Sequence, residues 1–242
     1  MIGNDVVDLD DEDSRAACRH PRFEARIFAA PERERIAASP DPDRMRAVLW
    51  AAKESAYKLL RRTDPRAAFS PSRFVVHWRS AFPASRPVGG PDVAGLVVAA
   101  AGRLLDVSLE AGDGFVHAVA REGGGGPAVL SAVRRLDECD AGAFAPGLAA
   151  RRLAREAIAP RLGVEAARLS IVRDGRLPHL RCDGLRVAGG LSLSHHGRFV
   201  AFAWAPGDTG QPQGVEATPR ALRSSRKRSR PAGEIMIQRP LP

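Results

Sequence analysis

The feature that most constrains the fold is a near-repetition. SLEAGDGFV (108–116) and SLSHHGRFV (192–200) have the same length, open on Ser-Leu and close on Phe-Val around a glycine-containing turn. A short apolar strand follows each. Upstream, AKESA (52–56) and AREAI (154–158) form a looser pair, both in segments of helical pattern. A helix followed by strands and a hairpin, met twice in one chain, implies two related halves. The expected class is therefore α+β. Each half would be an antiparallel sheet packed on a long helix, and the two would be arranged as a pseudo-dimer. At 242 residues the chain has ample material for one large core or two small ones.

Local patterns give the order of elements. Residues 21–62 read as helical, with Leu49, Ala52, Ala56 and Leu59 making one apolar stripe at i, i+3, i+7 and i+10. Asp64-Pro65 ends that helix. FVVHW (74–78) reads as a strand, and a Pro/Gly-rich loop follows at 83–91. Residues 96–120 read as strands with turns at Ala101-Gly102 and Gly112-Asp113-Gly114. GGGG (123–126) reads as a linker, 147–162 as a helix, 168–172 as a strand and 191–205 as a hairpin. The expected division is a first half at 1–122, a linker and the start of the second half at 123–147, the second half proper at 148–205, and a basic, mostly disordered tail at 206–242.

Composition narrows the setting. No apolar run reaches 18 residues, so no membrane span is expected. The opening MIGNDVVDLDDED lacks the basic and apolar regions of a secretory signal. Cys18, Cys139 and Cys182 are scattered, without the spacing of a disulfide framework or a zinc site. A soluble, reducing, cytoplasmic location is expected. Net charge is +9; the segment after Ala205 has seven basic and three acidic residues, so residues 1–205 carry +5. A basic body suits phosphates or an acidic protein partner. The pI near 10.7 and SSRKRSR (224–230) raise a nucleic-acid-binding alternative. With 5% aromatic residues and no aromatic-rich strand, a base-stacking platform is not expected.

Residue choice marks the chemistry. Of 37 basic residues only Lys53, Lys58 and Lys227 are lysine, and two of these flank Glu54 in WAAKESAYK (50–58). A compact ammonium suits a transferring phosphate. On a helix, Trp50, Glu54, Lys58 and Arg62 share one i, i+4 ridge, and Lys53, Tyr57 and Arg61 share the next. The plain alternative is a solvated face with Glu54–Lys58 as an ordinary ion pair. At the N-terminus, GNDVVDL (3–9) opens as a strand with Asp5 and Asp8 near its ends and Gly3 allowing close backbone approach. Asp5 with Glu54 makes a hard oxygen set, suited with water and phosphate oxygens to Mg²⁺. Asp8, three positions from Asp5, falls on the opposite face of the strand. In the second half, Arg176, Ser194 and His195 offer a guanidinium, a hydroxyl and an imidazole that could bind a phosphate jointly. Motifs for zinc proteases, serine hydrolases and P-loops are absent.

Together these pieces resemble the 4′-phosphopantetheinyl transferase superfamily. Gly3-Asn4-Asp5-Val6-Val7-Asp8 is similar to its G-x-D-[IV]-x-[DE] opening, and Trp50–Lys58 to its W-x-x-K-E-[SA]-x-x-K helix. Gly175-Arg176-Leu177-Pro178 is similar to G-[KR]-P with one extra residue, and Ser192–Gly197 to the S-x-S-H-x-G hairpin. The resemblance implies transfer of the 4′-phosphopantetheine arm of coenzyme A to a serine of an acyl or peptidyl carrier protein, releasing 3′,5′-ADP. It implies Mg²⁺, with Mn²⁺ as an alternative, on Asp5 and Glu54, and Glu54 helping to deprotonate the serine. It implies Lys58 and Lys53 on the pyrophosphate, and Arg176, Ser194 and His195 on the 3′-phosphate region. It implies fatty acid, polyketide or nonribosomal peptide pathways, and a monomer acting as its own pseudo-dimer. A non-catalytic relative that binds coenzyme A or a carrier protein is the alternative. Larger members place the G-[KR]-P and S-H motifs first, so the halves stand in reversed order. They also often carry an acid two positions after the first aspartate, where this chain has Val7.

Overall fold

The computed structural model describes residues 1–12, 21–78, 92–123, 128–137, 145–175, 177–207 and 236–237. Strand β1 (Ile2–Asp8) is buried along its whole length. Both faces are covered, which is why Val6 and Val7 can both be apolar.

The helical pattern of 21–62 is divided into α1 (Pro21–Ile27), α2 (Ala30–Ala37) and α3 (Pro42–Thr63). Proline causes the division: Pro31 and Pro42 stand in first turns, where their missing N–H costs nothing. Asp41 caps α3 by accepting the Arg44 backbone N–H at 3.0 Å, and Asp64 closes the helix as expected. The stripe of Leu49, Ala52, Ala56 and Leu59 is wholly buried.

That stripe packs on one face of a five-stranded sheet of β1, β2 (Val75–Trp78), β3 (Asp92–Ala100), β4 (Arg103–Gly112) and β5 (Phe115–Glu122). The order is β1-β5-β4-β3-β2 and every pairing is antiparallel. Both expected turns are present. Ala101, Gly102 and Gly114 take positive φ of 50°, 73° and 75° there.

After the linker come β6 (Leu130–Arg135), α4 (Pro146–Leu162), β7 (Leu169–Asp174), β8 (Leu177–Cys182), β9 (Leu185–Arg186), β10 (Gly189–His196) and β11 (Phe199–Pro206), and β12 (Met236–Ile237) pairs with β6 from within the segment expected to be a disordered tail. One sheet runs β10-β11-β6-β12 and a smaller one β7-β8-β9. The expected helix and hairpin stand, and the expected strand at 168–172 runs on to Asp174. The short strands β6, β8 and β9 lack a period long enough to be read from sequence. The Pro/Gly-rich loop at 83–91, residues 124–126 of the glycine run, and the tail apart from 206–207 and Met236–Ile237 lie outside the described residues.

Strand alternation stacks the layers. Val116, Ala118 and Ala120 of β5 join the core under α3, while Phe115 and Val119 face the second sheet. There they meet Val133, Phe199, Ala201 and Ala203. Val200, Phe202 and Trp204 face the other way, onto Leu153 and Ile158 of α4. The architecture is thus mixed α and β, with antiparallel sheets and few helices. Phe115 and Phe199, at the same place in the two near-repeats, touch with ring centroids 5.2 Å apart. Beyond helix and hairpin the halves differ, with five strands in one sheet against four and three in two.

Candidate functional site

The site is built where β1 crosses α3. Gly3 makes the crossing possible: a Cβ there would lie 2.2 Å from the Ser55 carbonyl oxygen and 2.6 Å from the Leu59 nitrogen. With the backbones this close, Asp5 Oδ1 accepts a hydrogen bond from Lys58 Nζ at 2.6 Å. Glu54 lies one helical turn before Lys58 on the same ridge.

The electrostatics follow from burial. Asp5 is raised above the usual carboxylate range by desolvation, although Lys58 opposes the rise. Glu54 is pushed up to about 7, first by burial and then by Asp5, against the pull of Lys58. Two desolvated carboxylates that repel one another favour a shared cation. As a donor set they suit a hard divalent ion completed by water and phosphate oxygens. Among the described residues, no three His, Cys, Asp or Glu side chains gather as a complete protein cage for a metal.

The hairpin β10–β11 brings the second half to this crossing. His195 is exposed, and its proton affinity is lowered by burial, Lys58 and His196, with Asp5 pulling the other way. His196 Nδ1 accepts the Asp8 backbone N–H at 3.1 Å. Ser194 is placed differently from expectation. Its Oγ accepts from Asn4 Nδ2 at 3.0 Å, inside the seam between the sheets, where only 5% of the residue is exposed. Arg176 lies outside the described residues.

Lys53 requires a correction. Its side chain is fully buried, and its ammonium donates to Glu32 Oε2 at 2.6 Å, the Pro71 carbonyl at 3.0 Å and the Phe74 carbonyl at 2.5 Å. Three protons meet three acceptors. It cannot contact a pyrophosphate, because it points to the α2 side of α3 rather than along the Glu54–Lys58 ridge. Asp8 is likewise occupied: both its oxygens take the Arg198 guanidinium, at 2.9 and 2.7 Å, and Oδ2 also takes the Arg198 backbone N–H. Burial alone would raise Asp8, but these bonds and the Asp10 backbone N–H outweigh it and lower Asp8 to about 2.

Three groups were given no role from sequence. Arg62, next on the ridge after Lys58, donates to the Leu191 carbonyl of β10 and is lowered to about 10 by burial. His117 is buried, and desolvation with Lys58 lowers it to about 3, so it is neutral. Glu110, its partner across β4 and β5, is pushed up to about 7 by burial. A ridge position could have signalled Arg62. Nothing in sequence signalled that two strands meet edge to edge across the halves.

Comparison with known protein families covers the first part of the chain, with the Gly3–Asp8 and Trp50–Lys58 motifs. Residues 1–86 match the family described as the 4′-phosphopantetheinyl transferase superfamily. A holo-[acyl-carrier-protein] synthase of Aromatoleum aromaticum (strain DSM 19018 / LMG 30748 / EbN1) is 48% identical over 60 residues, which cover 24% of this chain and 47% of that protein. The match therefore spans about half the length of that curated relative. The crystal structure of Thermotoga maritima holo-[acyl-carrier-protein] synthase aligns over 76% of this chain and 83% of its own, at 17% identity and a TM-score of 0.34.

Proposed function

We propose, from a chain whose first 86 residues carry the pattern of the 4′-phosphopantetheinyl transferase superfamily, that the protein moves the 4′-phosphopantetheine arm of coenzyme A onto a serine of an acyl or peptidyl carrier protein. The observation that carries this reading is the meeting of Asp5, Glu54 and Lys58 at the β1–α3 crossing. The active unit would be the chain itself, with one site where its two halves meet.

Phosphoryl-type transfer asks a protein mainly for positioning and charge neutralisation. The serine oxygen bonds to the phosphorus bearing the pantetheine arm. The bond from that phosphorus to the bridging oxygen breaks, and 3′,5′-ADP leaves with the electron pair. Glu54 takes the serine proton, directly or through water. Lys58 neutralises charge on the leaving group, and His195 and Arg176 hold the 3′-phosphate end. Asp5 and Glu54 would hold Mg²⁺ or Mn²⁺, which when bound offsets the pyrophosphate charge.

The test is intact-protein mass spectrometry of an apo acyl carrier protein incubated with coenzyme A, Mg²⁺ and either wild type or Glu54→Gln. A gain of about 340 Da, the mass of a phosphopantetheine arm, is expected with wild type and none with the variant. No gain across several carrier proteins, with coenzyme A binding intact, would replace this reading with a non-catalytic coenzyme A-binding relative.

A further inference from the structure

Asn4 is a buried polar side chain with no part in the chemistry proposed above. Its neighbours on this face of β1, Ile2 and Val6, sit in the apolar seam between the two sheets. Asn4 is fully buried there. Its backbone N–H, at the open edge of the first sheet, donates to Ser192 Oγ at 3.0 Å. Its carboxamide nitrogen lies 3.2 Å from His117 Nε2 and 3.0 Å from Ser194 Oγ. The amide nitrogen only donates, so Nε2 is the unprotonated ring nitrogen and accepts one N–H while Ser194 accepts the other. Oδ1 has no partner among the described residues. A hydrogen-bonded polar group in an apolar seam can specify register at a cost in stability.

The Asn4–Ser194 bond joins the neighbours of two candidate site residues. Asn4 precedes Asp5, and Ser194 precedes His195. We infer that Asn4 is a positioning residue: through Ser194 it sets the distance between the pyrophosphate end of the site, at Asp5 and Lys58, and the 3′-phosphate end, at His195. Ser194 then acts through Asn4 and not by touching the phosphate. The Arg62 bond to the Leu191 carbonyl ties the same strand one residue before Ser192. The inference rests on the coenzyme A reading above.

A bidentate ligand feels the spacing of its two ends, and a ligand with one end does not. The experiment is titration calorimetry of coenzyme A and 3′-dephospho-coenzyme A, with Mg²⁺, against wild type, Asn4→Ala, Ser194→Ala and the double variant. Melting temperatures and transfer to the carrier protein are read in parallel. Asn4→Ala is expected to weaken coenzyme A by about tenfold, the scale of one lost buried hydrogen bond, and to leave dephospho-coenzyme A within about twofold. The double variant should match the worse single variant. Equal weakening of both ligands means Asn4 is only structural and overturns the inference. Additive losses overturn it too, because Ser194 then contacts the phosphate independently. If wild type binds neither ligand, the coenzyme A reading itself fails and the inference falls with it. Failure to distinguish the two ligands removes the 3′-phosphate end, and so also the inference.

Discussion

Lys53 and Lys58 stand five residues apart on one helix and serve different ends. The scarcity of lysine marked both, and the i, i+4 spacing put them on adjacent ridges, but composition does not say which ridge faces the core. Lys53 is the cationic half of a buried pair whose carboxylate, Glu32, also accepts the Ala29 and Val76 backbone N–H groups. That pair pins α2 and the start of β2 to α3, next to Glu54. Removing one partner leaves a buried charge without its counter-charge, which costs about 3–5 kcal/mol. Lys53→Met should therefore lower stability by roughly that amount in urea denaturation. Lys53→Met with Glu32→Gln should recover part of the loss, since glutamine keeps an acceptor and carries no charge. If the single variant melts like wild type, the pair is not holding the helix. Lys58 differs because a third of its side chain meets solvent, leaving it accessible to a ligand.

β1 and α3 act as one element. Strand and helix meet backbone to backbone at Gly3, and that meeting sets the Asp5–Lys58 distance. Gly3→Ala drives a methyl into backbone atoms that cannot step aside, an overpacking that costs about 1–3 kcal/mol or more. Gly102→Ala is the contrast. Its φ of 73° strains an alanine, but a Cβ there meets nothing within 4 Å, and its cost should stay near about 1 kcal/mol. Thermal melts should rank Gly3→Ala as the less stable, and only Gly3→Ala should lose transfer activity per folded molecule. Equal activity in the two would mean that the crossing does not set the site. The long periodic elements were legible in sequence: the stripe on α3, the helix at Pro146–Leu162, and both hairpins with their glycine turns. The division of 21–62 into three helices followed from Pro31 and Pro42, whose positions at helix starts count as strongly as the apolar period. β6, β8 and β9 were less legible, because two to six residues carry too little period to distinguish without a turn signal beside them.

Across the whole molecule, the seam between the sheets decides pH behaviour as well as geometry. Glu110 stands opposite His117 in that half of the interior, raised from 4.5 to about 7 by burial. A carboxyl raised in the folded state binds more protons there than in the unfolded chain. Its contribution to stability is therefore full below about 4.5 and is lost as pH rises through about 7. Glu110→Gln should flatten this part of the stability profile, seen by urea denaturation at pH 5 and pH 8. Asp5 and Glu54 are raised in the same direction, so the comparison of variant with wild type isolates Glu110. A variant that loses as much stability as wild type over that interval would show that Glu110 does not titrate there. Asp8 has the opposite sign: held at about 2 by Arg198, it stabilises the fold above 3.8 and loses that as pH falls toward 2. The sequence by itself determined the long periodic elements, the superfamily resemblance and the residue types of the site, because periodicity, turn chemistry and motif spacing are local properties of the chain. Only the tertiary structure decided that Lys53 is spent in the core, that Ser194 is tied to Asn4, and that Asp8 holds Arg198. Each of those depends on which groups from distant segments reach the same buried place, and a buried donor or charge takes the partner that lies there.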